Sequence, residues 1–529
     1  MKRMLAMLLT LLLLTGCGTK KAAESAPAKT TAESASGEIK TGVSYPSRFH
    51  APTVITLSDD GNLVDRLDSG ADEDAVAVTH DIIYYEDRDA YDSGNPYGEG
   101  TEEERHNAEE AAAHTVVNIR KPGAYRVNGK LSKGQIRIDL GEDAKEDPNA
   151  VVELILDNAD LTCTVAPAIL FLNVYECDED ASEDTATADV DTSSAGANLI
   201  LEGHNTVNGS HVAKIFKDKD GEKKLWKQDG AIYSYMSMNV FGPGSLELTA
   251  DNEGLGTEMH LTVNGGDLTI CSGNDGINTN EDGVSVTTIN GGKVTVFAGL
   301  GKEGDGIDSN GYLVINGGTV LAAAHPASDA GLDSDLGSFI HGGTVIAMGS
   351  TMDWAESDSR QVTMNLQFAG QQKAGTEIRI TTTDGTEYLP FQTDSDYARP
   401  FSGLILSHPG FIQGATYHVY ADGVQMSYTG TDVKRGPGGM PFPKGHLPEG
   451  MDPASDFDPG QREDRKPPED PDPEKTFDLP RPDLDNRTPP ENFGPAQFYG
   501  EPEEKPGEAH IDFYMRDKVN AFSGVTTAE

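Results

Sequence analysis

Three short stretches carry the residue types best suited to chemistry: "GNDGINTN" (273–280), "GDGIDSN" (304–310) and "DAGLDSD" (329–335). Each gathers oxygen-bearing side chains around a glycine. They are Asp275, Asn278 and Asn280; Asp305, Asp308 and Asn310; then Asp329, Asp333 and Asp335, the last set with one extra residue. Carboxylates and amides without Cys or His are hard donors. Such a set suits Ca²⁺, which takes about six to eight oxygens in flexible geometry, better than Mg²⁺, which demands fewer and stricter contacts. The competing reading is a solvated acidic turn whose Asp and Asn side chains bond the turn backbone.

The elements that would position these turns repeat. Asn-Gly-Gly stands at 264–266, 290–292 and 316–318, and His341-Gly342-Gly343 continues the series, so the steps are 26, 26 and 25 residues. The flanking runs, "HLTVNGGDLTI", "VTTINGGKVTVF", "YLVINGGTVLAA" and "SFIHGGTVIAM", are short and β-branched, which excludes helices. A leucine-rich horseshoe needs a leucine ladder and a helix-forming half, and neither is present. Strand, glycine turn, strand and polar turn at a fixed period predict an all-β solenoid, a parallel β-helix. Three inward stacks follow: Val263, Ile289, Ile315 and Ile340; Leu268, Val294, Val320 and Val345; Ile277, Ile307 and Leu332. In-register stacking also superposes Asn278, Asp308 and Asp333, and Asn280, Asn310 and Asp335. Two carboxylates about 4.8 Å apart repel by about 3–4 kcal/mol at an effective dielectric near 20. A bound cation removes that cost. The Asn264, Asn290 and Asn316 column is read differently, as amides capping turns by bonding the neighbouring coil, with His341 closing the ladder and the glycines permitting positive φ.

The 529 residues leave room for further modules. Residues 1–17, "MKRMLAMLLTLLLLTGC", resemble a bacterial lipoprotein signal, with cleavage before Cys17 and lipidation of its thiol; the apolar run is too short to span a bilayer. Residues 18–50 read as a flexible tether and 51–130 as N-terminal capping strands with an acidic insertion, in which Thr101 and Glu104 form a capping box for a short helix. The β-helix is assigned to 131–355, interrupted by a second acidic insertion at 178–194. A C-terminal antiparallel β module occupies 356–431, a Pro- and acid-rich disordered segment 432–509, and a terminal strand 510–529 that returns to the module. Forty-one basic against 87 acidic residues give a net charge of −46, which excludes nucleic acid as a partner and requires a bridging cation for any polyanion. Cys163, Cys177 and Cys271 remain after lipidation; they read as buried small hydrophobes, with a Cys163–Cys177 disulfide as the alternative.

"GQIRIDLGEDAKEDPNAVVELILDNADLT", "DGAIYS", "GNDGIN", "GDGIDSNGYLVINGG", "DAGLDSD" and "SGLILSHPGFIQGATYHVYADG" together resemble the bacterial surface family of carbohydrate-binding domain-containing proteins, over roughly 51–84 and 115–430. The resemblance implies a right-handed parallel β-helix similar to polysaccharide lyases. It further implies calcium in the coil turns and binding of plant polysaccharides such as cellulose and pectin, without established catalysis. It carries over to Asp275, Asn278, Asp305, Asp308, Asp329 and Asp333. The expectation is a monomeric lipoprotein, anchored outside the cytoplasm at the cell surface, that binds acidic or cellulosic polysaccharide through Ca²⁺. Tyr312, Lys302 and Trp226, the last within the lysine-rich "KIFKDKDGEKKLWK" (214–227), are the candidate sugar contacts. The alternatives are a structural adhesin and a calcium-dependent pectate lyase. The lyase needs a Lys or Arg base beside the cation, with Lys302 and Lys293 as candidates.

Overall fold

The computed structural model describes residues 45, 47–66, 74–86, 101–102, 104–219, 222–327, 329–350, 353–391, 398–431 and 508–528. Cys17 and the signal 1–17, nearly all of the tether 18–50 and residues 432–507 lie outside them. The chain divides into a unit Met1–Gly439 with Pro506–Glu529 and a unit Met440–Lys505.

The first unit is nearly all β. Its strands form three parallel runs, each adding one short strand per repeat. One run is Ile169–Asn173, Gly230–Ser234, Glu253–Thr257, Ile277–Thr279 and Ile307–Ser309. A second is Ala197–Glu202, Met238–Phe241, Leu261–Val263, Val286–Ile289, Tyr312–Ile315 and Gly337–Ile340. The third is His204–Gly209, Ser245–Ala250, Asp267–Ser272, Lys293–Phe297, Thr319–Ala323 and Thr344–Gly349.

Register follows the hydrophobic columns of the sequence. Val263 pairs with Ile289, Ile289 with Ile315 and Ile315 with Ile340; Leu268, Val294, Val320 and Val345 pair likewise, as do Ile277, Ile307 and Leu332. All eleven side chains are 0% exposed. Each buries its full apolar surface, about 1.5–3 kcal/mol apiece. The glycines of the acid-glycine pairs sit where neighbouring backbones meet: a Cβ on Gly276 would fall 2.6 Å from the Gly306 carbonyl oxygen, and one on Gly306 would fall 2.4 Å from the Gly331 carbonyl oxygen.

Parallel pairing begins earlier than residue 131. Thr115–Ile119 pairs with Gly134–Asp139, and Gly123–Leu131 with Val152–Thr162, so residues 115–130, within the stretch read from the sequence as capping strands, extend the parallel runs. The antiparallel partners that end the sheets are Leu63–Arg66 on Thr53–Leu57 and Val76–Thr79 on Thr115–Ile119. The short helix is Ala108–Ala112, capped by Asn107, whose Oδ1 accepts from Glu110 N at 2.9 Å. Thr101 and Glu104 instead close a turn of their own, because the Asn107 side chain supplies the cap that the helix needs. At the other end, Thr363–Gln372 pairs antiparallel with Phe401–Ser407 and parallel with Val519–Thr527, the returning terminal strand. Cys163 and Cys177 form no disulfide with each other, and Cys163 and Cys271 are buried.

Candidate functional site

The acidic turns lie on the first parallel run, and its register sorts them. Asn278 pairs with Asp308, and the Ile307–Leu332 bridge brings Asp333 next in that file. Two residues before each inward aliphatic side chain stands a second file: Glu253, Asp275, Asp305 and Ala330, which follows from the pairs Leu255–Ile277, Ile277–Ile307 and Ile307–Leu332. The alignment that put Asp329 beneath Asp305 is therefore off by one. Ala330 occupies that place, its N–H donating to Asp305 Oδ1, while Asp329 stands one residue earlier and accepts from Gly304 N at 2.8 Å. The extra residue, Ala330, falls ahead of the glycine.

Hydrogen bonds knit the two files together. Asp305 N–H donates to Asp275 Oδ1 at 2.7 Å, and Asn278 Nδ2 donates to Glu253 Oε1 at 2.9 Å and Asp275 Oδ2 at 3.4 Å. Those donors are too few for the oxygens present. Glu253 Oε2 and Asn278 Oδ1 are buried with no hydrogen-bond partner. Leaving a buried acceptor unmet costs about 1–3 kcal/mol each. The electrostatics point the same way. Burial, then the neighbouring Asp333, pushes the Asp305 carboxyl up to about 9; burial, then Asp275 and Asp333, pushes Asp308 up to about 8; burial first raises Asp275 to about 6. Burial also raises Glu253 well above the ordinary carboxylate range, with Asp229 adding to it, and raises Asp333.

A third file differs in kind. Asn280 is tied up: its Oδ1 accepts from Lys227 Nζ and its Nδ2 donates to Thr257 O at 3.2 Å. Asn310 Nδ2 donates to Asn280 O at 3.0 Å and Asp282 Oδ1 at 2.7 Å, and Asp335 is exposed. These three thus do not join the buried acidic pair of files. The site also gathers residues that the turn spacing did not pick out. Lys227 Nζ lies 3.2 Å from Asp229 Oδ2, and the Tyr233 hydroxyl donates to Glu258 Oε1. Glu253 had a legible signal, since Glu253-Gly254-Leu255 repeats the Asp275-Gly276-Ile277 and Asp305-Gly306-Ile307 triplet.

Tested as cation ligands, the residues fit a hard ion. All donors are oxygens, anionic charge exceeds the single ammonium of Lys227, and two buried oxygens lack donors. Among the described residues, no three His, Cys, Asp or Glu side chains form a ready-made metal cluster. The oxygens are strung along the ladder, which suits a soft-geometry ion completing its shell with Asn278, main-chain carbonyls and water.

The remaining candidates fall elsewhere. Tyr312 is half-buried, its ring 6.2 Å from that of Phe339. Lys302 is exposed in the turn ahead of Glu303, and Lys293 Nζ is 3.2 Å from Asp267 Oδ1, away from the acidic files. Trp226 lies opposite Ile215 in the hairpin Val212–Lys219 with Glu222–Gln228. The Asn ladder closes on itself: Asn290 Nδ2 donates to Asn264 Oδ1 and Asn316 Nδ2 to Asn290 Oδ1, both at 2.9 Å. His341 continues the column, but its Nδ1 accepts from Arg360 N at 3.3 Å.

A family model described as carbohydrate-binding domain-containing protein matches residues 113–388. A relative of that description from Acetivibrio thermocellus is 26% identical over 155 residues, 29% of this chain and 44% of the relative, so the match spans less than half of that protein's length. A solved polysaccharide lyase-like protein from C. thermocellum, as its gadolinium derivative, aligns with a TM-score of 0.30 at 19% identity, covering 55% of this chain and 93% of that one.

Proposed function

The chain belongs to the carbohydrate-binding domain-containing family, and from that premise we propose that it binds polysaccharide through a calcium-loaded parallel β-helix, without catalysis. The observation that carries the calcium reading is the pair of buried oxygens, Glu253 Oε2 and Asn278 Oδ1, that lack donors amid carboxyls forced toward protonation. Glu253, Asp275, Asn278, Asp305 and Asp308 would hold the ion, with Asp333 beside them. Bound there, it supplies the positive charge that stacked carboxylates require, and it offers a uronate polymer a bridging cation. The three parallel runs and their closed apolar interior support a right-handed solenoid as the carrier.

Among the described residues, two lysines that could serve a lyase as base are held by acidic partners, and Lys302 is exposed in the turn ahead of Glu303. Lys293 pairs with Asp267, and Lys227, the ammonium nearest the acidic files, is held by Asp229 and Asn280 with its pKa raised: burial lowers it, but Glu253 and Asp229 outweigh burial. A proton acceptor must be neutral at working pH. We place the protein at the bacterial surface, lipid-anchored through Cys17, monomeric, with pectin- or cellulose-like chains as partners. The test is calorimetric titration of Ca²⁺ into chelator-treated protein, with pull-down on polygalacturonate and cellulose in calcium and in chelator. Tight calcium binding with capture of either polymer supports the reading. No capture of any polysaccharide in calcium sinks it, and unsaturated product absorbing in the ultraviolet sinks the non-catalytic part.

A further inference from the structure

A groove of about 670 Å³ runs across the second parallel run of strands, away from the acidic turns of the first. Its floor is built by register. Thr262, Thr288, Val314 and Phe339 follow one another along one outward file, and Asn264, Asn290 and Asn316 form the next. One wall is the acidic insertion, pinned by Thr192: its Oγ1 lies 2.7 Å from both Asn239 Oδ1 and Thr262 Oγ1, and Asn239 Nδ2 donates to Thr192 O at 2.8 Å. Asp358 and Arg360 also line the groove, with Arg360 N donating to His341 Nδ1 at 3.3 Å. Five strands at about 4.8 Å give the floor a length of roughly 19 Å, straight along the stacking direction.

The chemistry of the floor is neutral and repeated. Asn290 and Asn316 each spend one N–H on the preceding amide, and the second N–H of each is not used by the ladder. Asn290 and Asn316 are exposed, so those groups face solvent. Threonine hydroxyls alternate with them. Phe339 supplies an apolar face, supported by rings of Tyr312 at 6.2 Å and His341 at 6.0 Å. The charged side chains lining the groove are Asp189, Asp191 and Asp358 against Arg360. That net negative lining repels a polyanion, whereas amides and hydroxyls match a ligand that both donates and accepts.

We propose that this groove binds a neutral, hydroxyl-rich glycan chain lying along the stacking axis, with one sugar face on Phe339. The inference rests on the polysaccharide-binding reading above and assigns neutral and acidic chains to different surfaces. A neutral glucan takes the groove, and a uronate polymer takes the calcium-bearing turns.

Affinity electrophoresis of the full chain through gels holding hydroxyethyl cellulose or polygalacturonate, each with calcium and with chelator, tests it. The variants are Phe339→Ala, Asn316→Asp, which is exposed but gives up its ladder bond to Asn290 Oδ1, and Asp308→Asn, each checked for folding by its melting temperature. The expected result is retardation of the full chain by hydroxyethyl cellulose in calcium and in chelator alike. Phe339→Ala should weaken it by roughly tenfold, and Asn316→Asp should weaken it as well. Both groove variants should keep the retardation by polygalacturonate, which only Asp308→Asn loses. If the full chain is retarded by hydroxyethyl cellulose and Asn316→Asp and Phe339→Ala match it, the groove assignment is wrong and polysaccharide binding stands. Retardation by polygalacturonate alone also overturns the groove while leaving calcium-dependent binding intact. Retardation by neither polymer overturns both readings.

Discussion

Replacing Asp308 with Asn should stabilise the protein when calcium is absent and weaken it when calcium is present. Asp308 has its carboxyl pushed from an ordinary 3.8 up to about 8, first by burial and then by Asp275 and Asp333. The folded chain therefore keeps a proton at pH 7 that the unfolded chain releases. Every pH unit across which only the folded chain holds that proton costs about 1.4 kcal/mol, so between about pH 4 and about pH 7 the wild type loses about 4 kcal/mol at this position. Partial solvent access and sharing of the proton with Asp275 and Asp305 bring that to about 2 kcal/mol. The sign is fixed: a raised carboxyl makes stability fall as pH rises from about 4 to about 8 and leaves it level above. Asn is the neutral shape of the protonated acid, so the variant lacks that slope. It also lacks an anionic ligand, so it should lose most of the stabilisation that calcium gives by binding the native state. The assay is calorimetric melting of both proteins from about pH 5 to about pH 9, in chelator and in saturating calcium. The variant should melt higher in chelator above neutral pH, converge with the wild type at the acid end, and melt lower in calcium. If Asp308→Asn melts below the wild type in chelator, or if calcium raises both equally, the files are not a charge-strained cation site.

Other perturbations test the scaffold and its buried groups. Gly306→Ala places a Cβ 2.4 Å from the Gly331 carbonyl oxygen and 3.0 Å from Ala322 Cβ; a loss of about 3 kcal/mol or more is expected in urea denaturation. Ile307→Ala, at a fully buried stack position, should cost about 2–5 kcal/mol by the same measurement. His211 lies 3.0 Å from Asp251 and 3.3 Å from Glu104; burial lowers its pKa, but the two carboxylates outweigh that and lift it to about 9. Its contribution is full below about pH 6.5 and fades as pH rises through about 9, so His211→Gln should flatten the alkaline limb of the stability profile in chelator. Cys163 and Cys177, both pushed up to about 12 by burial, should resist maleimide at neutral pH in the native protein and label fully in denaturant, read by mass spectrometry.

How far the sequence can be read depends on how long each repeated signal is. Asn-Gly-Gly with flanking β-branched residues recurs at near-constant steps, and that is enough to pair Val263 with Ile289 and Leu268 with Val294 from the chain alone. The acid files have a shorter signature, one acid, one glycine and one aliphatic residue. The steps between them are uneven, 22 from Glu253 to Asp275 and 30 from Asp275 to Asp305, because turns of different length intervene. Turn spacing passes over Glu253 for that reason, and it misplaces Asp329 by one position. Lys227 and Asp229 belong to the end of a hairpin with no counterpart in the other repeats, so no periodicity points to them. The insertion at 178–194 reads in sequence as an interruption. Only the contacts of Thr192 with Asn239 and Thr262 make it the wall of a groove.

The two kinds of column show what stacking in register does with a single choice of residue. Asn264, Asn290 and Asn316 recur at the strand spacing and cost nothing, since an amide donates on one side and accepts on the other, and the ladder satisfies itself at 2.9 Å per step. Asp275 and Asp305 in one file, and Asp308 and Asp333 in the other, also lie one strand apart, but a carboxylate only accepts, so every added acidic strand adds about 3–4 kcal/mol of repulsion per ionised pair. Lys227 relieves that at one end, where its ammonium meets Asp229 and Asn280 and lies in the field of Glu253. Farther along, Asp305 and Asp308 answer the same repulsion by holding protons up to about 9 and about 8. A proton and a divalent cation are then competing solutions to one electrostatic problem. Calcium uptake should therefore release protons, and the number released should grow as the pH is lowered from about 9 toward about 6, measured as the dependence of the calorimetric heat on buffer ionisation. Uptake without proton release across that range would mean that the ion sits elsewhere.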